Sequence, residues 1–174
     1  TKGLWFTISE DIQEEMWEKR REDKDIQEEM WGKRRIDKDI QEIKINFEKQ
    51  LKSKVFVGGL HGIEHAVIGI MPFYVMCDRW DIGGVSTAIH PHTMKPTIFI
   101  YDGFEGGIGL TKKALELIGE IIKMTFDLVQ ECKCENGCPG CIYSPKCGND
   151  NKLLDKKAAL LMLNELLRKI GIKN

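Results

Sequence analysis

No phosphate-binding loop of the form G-x-x-x-x-G-K-[ST] and no acidic metal-binding box occur in the 174 residues, so a nucleotide-driven motor is not expected within this chain. Charge of one sign is not in excess either. The 26 Lys and Arg residues face 27 Asp and Glu, for a formal net charge of −1. That balance excludes the broad basic footprint of an autonomous nucleic-acid binder, and any contact to DNA should be local or shared with other domains. The longest apolar run, Ala66 to Cys77, is shorter than the roughly 20 residues needed to span a bilayer, so no membrane partner is expected. No signal or transit peptide is visible, which makes an intracellular, cytoplasmic location the expectation. An initiator Met is missing too. The chain opens on Thr1 in an alternating apolar segment (Leu4, Phe6, Ile8) and reads as a piece of a longer protein.

What is present is 42% hydrophobic and 30% charged, enough for one domain with a real core. Residues 2–9 (KGLWFTIS) read as its first strand. Then DIQEEMWEKRREDK (11–24) recurs as DIQEEMWGKRRIDK (25–38), and a third copy starts at Asp39. Each copy offers one apolar patch, Ile12/Met16 or Ile26/Met30, with Trp17 or Trp31 beside it. Lys19 and Asp23 stand where a coiled coil would want apolar residues. The expectation for 10–53 is a charged, mostly exposed helical insertion laced with Glu–Lys and Glu–Arg pairs. It would be an arm for a protein partner or, more simply, a tolerated insertion in a surface hairpin. Residues 54–174 form the remaining globular domain. His61 to Cys77 is apolar all round after its first turn, a buried helix containing Pro72. Asp81–Ile89 and Thr97–Tyr101 read as strands. Thr111 is expected to cap a helix to about Gln130, with Leu115, Ile118, Ile122 and Phe126 as its stripe. A last helix over 155–170 would be capped by Asp155, carry Leu160, Leu163, Leu167 and Ile170 on one face, and end at Gly171. The class is α+β, a small mixed sheet packed with helices.

Five of the six cysteines fall in CKCENGCPGCIYSPKCG, residues 132–148. In the intracellular setting expected here, such clusters are metal ligands more often than disulfides. Cys134, Cys138, Cys141 and Cys147 have the spacing C-x3-C-x2-C-x5-C, which lets four thiolates surround a structural zinc with no open position. An iron–sulfur cluster would use the same ligands and is the less favoured reading, since thiolates alone do not separate the two. A redox C-x-x-C is disfavoured by the further thiols nearby. Cys132-x-Cys134 looks cramped for one tetrahedral site, and Cys132 also suits the buried end of the preceding helix. It is placed outside the site, and Cys77 in the core.

The metal loop 132–149, with "GCPGC", "SPKCGN" and "LDKKAA", resembles the C-terminal zinc-binding domain of the mitomycin-repair helicases, the MrfA family. "GLHGIEHAVIG", "CDRWDIGG" and "HPHTMKPTIFIYDGFEGGIGL" extend that resemblance to nearly everything from Lys54 on, and to Leu4–Ile8. The 14-residue repeats lie outside it. It implies a Zn2+ site at Cys134, Cys138, Cys141 and Cys147 and an accessory role beside two upstream RecA-like motor domains. Such a domain would assist DNA strand binding or separation in an ATP-dependent superfamily 2 repair helicase.

Other constellations compete. His61-x-x-Glu64-His65 matches the inverted zincin pattern, with both imidazoles on one helical face and Glu64 as a possible general base. A zinc-dependent hydrolase is therefore the alternative from another class, although the sequence singles out no third ligand. A non-catalytic interaction module is the other alternative. Asp102–Gly109 (DGFEGGIG) resembles a phosphate loop only in its glycines, because Asp102 and Glu105 would repel an anion. Tyr143, on the metal loop, is the candidate for stacking on a base, with Lys146 and Lys152 as candidate phosphate contacts.

Overall fold

The computed structural model describes residues 3–31 and 41–172. In chain order its elements are β1 (Gly3–Thr7), α1 (Glu10–Arg20), α2 (Lys24–Trp31), α3 (Gln41–Val75), β2 (Ile82–Thr87), β3 (Thr97–Asp102), α4 (Leu110–Glu116), α5 (Ile118–Glu131) and α6 (Lys156–Lys169). The α+β class holds. The sheet is three-stranded, in the order β1-β3-β2, and antiparallel at both pairings, so it is not mixed. Leu4 faces Ile100 across one ladder, and Ile82 faces Asp102 across the other. Alternation sends Leu4, Ile82, Ile98 and Ile100 into the core and leaves Trp5, Val85 and Tyr101 exposed on the outer face.

The central element is α3, 35 residues long. Residues 53 and 54, expected to divide an insertion from a domain, lie inside this one helix. Its Lys49–Val75 stretch is long and apolar enough to cross a membrane by length and composition, and it is mostly buried within the domain. Two glycines let α6 approach it closely. A Cβ on Gly59 would meet Ala158 Cβ at 2.8 Å, and one on Gly58 would meet the Leu153 carbonyl at 2.4 Å. On α6, Ala158, Ala159, Met162, Leu163 and Leu167 are buried, whereas Ile170 is exposed. The Asp155 carboxylate caps this helix by accepting the Ala158 N–H at 2.8 Å, and Gly171 leaves it at φ 76°.

The repeat region departs most from expectation. Its described helices, α1 and α2, each turn a face into the core and do not form an exposed arm. Ile12, Met16 and Trp17 of α1 and Ile26 of α2 are all buried. Packing consumes the apolar patch of the first unit and Ile26 of the second, and charge completes the seal. Lys19 donates to the buried Glu165 of α6 at 2.8 Å. Arg20, itself buried, pairs with Asp23 at 2.7 Å, Asp25 at 2.6 Å and Asp155 at 3.2 Å. Residues 32–38 of the second copy and the start of the third at Asp39 lie outside the described residues.

The helix expected over 111–130 is two, interrupted at Leu117, and Leu115 before the break is exposed while Ile122 and Phe126 are buried. Thr111 does not cap it. Gly109 is the N-cap residue and has no side chain to offer, so the carboxylate of Asp102, at the end of β3, takes that role. It accepts N–H bonds from Ile108, Gly109, Leu110 and Thr111 at 2.8–3.2 Å. Gly106, Gly107 and Gly109 supply the positive φ this turn needs. An internal carboxylate thus fills the anion-binding end of α4.

Two outcomes follow for stability. Met16→Ala should cost about 2–5 kcal/mol, because a fully buried side chain leaves a cavity between α1 and α6; a change within about 0.5 kcal/mol in urea unfolding would return the repeats to the surface. Burial works against the Asp102 charge, but the Thr111 hydroxyl and the backbone N–H groups outweigh it and hold its carboxyl at about 2, below the ordinary 3.8. Its stabilisation is therefore complete above pH 3.8 and lost as pH falls through about 2. Asp102→Asn should cost roughly 2 kcal/mol at neutral pH and flatten the acid limb of the stability profile. An unchanged acid limb would contradict the assignment.

Candidate metal centre

α5 ends at Glu131, and Cys132 leaves it in an extended conformation at φ −64°, ψ 124°. Extended backbone puts residues i and i+2 on the same side, so Cys132 and Cys134 converge instead of crowding. Gly137, at φ 119°, then turns the chain back. The Cys138 carbonyl accepts the N–H groups of Cys141 and Tyr143 at 3.0 and 3.1 Å, which closes the turn.

As a result the sulfurs of Cys132, Cys134, Cys138 and Cys141 all lie within 4.8 Å of one another. Cys132 Sγ is 3.5 Å from those of Cys134 and Cys138, and Cys141 Sγ is 3.5 Å from Cys134 and 3.8 Å from Cys138. Four thiolates around zinc at about 2.3 Å place their sulfurs about 3.8 Å apart, so this set fits a tetrahedral ion with little movement. Lys156, the first residue of α6 and buried, donates to the carbonyls of Cys132 and Cys134, both at 2.7 Å, and lies 3.4 Å from Cys134 Sγ. Its charge offsets part of the −2 that four thiolates leave on a divalent ion. Without a cation, desolvation pushes the Cys141 thiol up to about 12, while hydrogen bonds from the Cys134 backbone and neighbouring thiols pull Cys132 down to about 7. Full ionisation of the set thus calls for a cation at its centre.

The structure therefore groups the thiols differently from the spacing-based expectation. Cys132, placed outside, is in the cluster. Cys147, expected inside, lies beside α3, where its Sγ is 3.7 Å from His61 Nε2 and accepts the N–H groups of Asn149 at 3.4 Å and Asn151 at 3.3 Å. The missed signal was the extended C-x-C, which is a natural bite once the helix stops at Glu131.

Helical spacing brings His61 and His65 together as expected, with ring centroids 4.3 Å apart. His65 Nδ1 contacts the Ile142 carbonyl at 2.8 Å, and burial drives its imidazole down to about 4. The Glu64 carboxylate is buried, accepts the Ser86 hydroxyl at 2.6 Å, and is raised above its ordinary value by desolvation. A cavity of ≈ 250 Å³ opens beside these groups, between α3, β2 and the loop through Ser144 and Cys147.

Of the candidate nucleic-acid contacts, Lys146 points inward. Its ammonium donates to the carbonyls of Ile82 at 2.6 Å and Arg79 at 3.1 Å, and sits 5.2 Å from the Trp80 ring centroid. Those carbonyls need a donor, and Lys146 supplies it. Tyr143 is half-buried against Gly137, and Lys152 is exposed with Asp150 at 3.3 Å.

A family model described as the MrfA Zn-binding domain matches residues 63–142, a segment that contains all four converging cysteines and ends before Cys147. An uncharacterised protein of Methanocaldococcus jannaschii is 40% identical over 111 residues, covering 62% of this chain and 99% of its own. The chain belongs to the MrfA Zn-binding domain family. The uncharacterised ATP-dependent helicase YprA of Bacillus subtilis is 42% identical to this MrfA-type domain over 83 residues, 48% of this chain but 11% of the helicase. The crystal structure of the DUF1998 helicase MrfA bound to DNA is similar over 65% of this chain and 15% of that one, at 36% identity and a TM-score of 0.55. The chain thus spans nearly all of its archaeal relative and a small part of each helicase.

Serine at Cys132, Cys134, Cys138 or Cys141 should each abolish tight zinc binding at this cluster, because a closed site has no spare ligand. Apparent binding of structural zinc is worth about 10–16 kcal/mol in small peptides against about 5–15 kcal/mol of whole-domain stability, so the loop and α6 should loosen with it. Cys147→Ser should leave the four-thiol metal in place. Metal content per chain checks this; a cluster metal that survives Cys132→Ser but not Cys147→Ser would restore the spacing-based set.

Proposed function

We propose that this chain is a zinc-stabilised accessory domain of an ATP-dependent DNA repair helicase, aiding strand binding or separation beside a motor supplied by other residues. The observation that carries the reading is the fit of Cys132, Cys134, Cys138 and Cys141 to a closed tetrahedral ion at the junction of α5 and α6. The role of such an ion is structural: it fastens two helix ends that otherwise meet through an irregular loop. The same thiols would also accept an iron–sulfur cluster, and metal analysis with an absorption spectrum distinguishes a colourless zinc protein from a brown one.

DNA enters the reading through the relatives and through the surface. Lys146 and Lys156 are turned inward. Lys113, Lys123, Lys152 and Lys157 pair with carboxylates. Lys112 and Lys133 are exposed. Scattered cations of this kind support contacts shared with a motor, not an independent DNA platform.

Two measurements test this. Binding of the isolated chain to single-stranded DNA should be weak and fall steeply with salt, and nanomolar affinity persisting at high salt would reveal a dedicated site. Exchanged for the matching segment of the Bacillus helicase, this chain should support unwinding, and the Cys132→Ser/Cys134→Ser double variant should lose unwinding. Unwinding that is indifferent to the double variant would sink the accessory role.

A further inference from the structure

The cluster around Cys147 is not needed by the four-thiol centre, yet it has the makings of a site. His61, His65 and Cys147 each offer one donor atom, and the three lie within 4.8 Å of one another. They come from α3 and from the loop past the first cysteine cluster, 86 residues apart in the case of His61 and Cys147. We propose that His61, His65 and Cys147 form a second metal site, taking zinc or a similar divalent transition metal with an open fourth position.

Three features argue for a built ligand set. The first is spacing: two imidazole nitrogens and a thiolate around tetrahedral zinc put nitrogen and sulfur about 3.6 Å apart, and Cys147 Sγ lies 3.7 Å from His61 Nε2. The second is orientation. His65 Nδ1 contacts the Ile142 carbonyl, which can only accept, so Nδ1 carries the proton and the Nε2 lone pair is free for an ion. A backbone carbonyl behind a ligating imidazole is the usual arrangement at metal sites. The third is the placement of the sulfur. Two backbone N–H groups, from Asn149 and Asn151, donate to Cys147 Sγ and hold it beside His61 Nε2.

The fourth position faces the ≈ 250 Å³ cavity, whose walls include Glu64, Trp80 and Ser144. Two histidines and one cysteine leave zinc one site for water, in contrast to the closed four-thiol set. The Glu64 carboxylate, held by Ser86, lines the same cavity. Because Ile142 directly follows Cys141, one loop would brace both metals.

Zinc bound per chain, measured after equilibration with excess zinc and desalting, tests the site without reference to helicase activity. The purified chain should hold two ions, with His61→Gln and Cys147→Ser each holding one. A single ion in the unmodified chain, or two in both variants, would overturn the assignment. Cobalt substitution of the unmodified chain serves where a variant fails to fold. A one-thiolate centre should appear there beside the four-thiolate one, and a four-thiolate spectrum alone would count against the second site.

Discussion

Four thiolates cannot share a few ångströms of space without a cation among them, and the domain is arranged around that constraint. The sulfurs of Cys132, Cys134, Cys138 and Cys141 are brought to 3.5–3.8 Å from their neighbours by a helix end, an extended C-x-C and a glycine turn. Lys156 then lends the cluster a positive charge and, through the Cys132 and Cys134 carbonyls, fixes the start of α6 against it. From there a polar line continues outward. Asp155, the residue before Lys156, caps α6 and pairs with the buried Arg20 of the repeats, which also holds Asp23 and Asp25. Removing Arg20 would take its charge from three carboxylates at once, Asp23, Asp25 and Asp155, so the link between metal loop and repeats is costly to break.

Opposite this line, α3 serves as the common wall. Its glycines admit α6, its apolar faces carry the sheet and α5, and its histidines meet the far end of the cysteine loop. The buried carboxylate on the same helix, Glu64, is satisfied by Ser86 of β2. The same economy appears at α4, where the Asp102 carboxylate occupies the helix end that a phosphate would otherwise seek. The glycine-rich turn there shapes the backbone around that carboxylate.

Part of this was legible in one dimension. Strands at 3–7, 82–87 and 97–102 and a last helix capped by Asp155 follow from alternation, β-branched residues and capping chemistry, which act locally. The thiol count pointed to a metal loop for a similar reason, since clustered ligands need little long-range information. What escaped were partners distant in sequence. The amphipathic stripe of α1 was too narrow to announce burial, and only α6, with Glu165 and its apolar face, makes Met16 and Trp17 interior. Lys146 read as a surface cation because nothing in its neighbourhood of sequence reveals the waiting carbonyls of Arg79 and Ile82.

By itself the sequence determined the α+β class, the thiol-rich loop and the histidine pair on one helical face, because each depends on spacings of a few residues and on helical or strand periodicity. Which four sulfurs meet was left to the tertiary structure. C-x-C and C-x5-C are both possible bites, and the choice turns on where α5 stops and on what else lies near Cys147. α3 places His61 there, and that contact, between residues 86 apart, separates Cys147 from the other four.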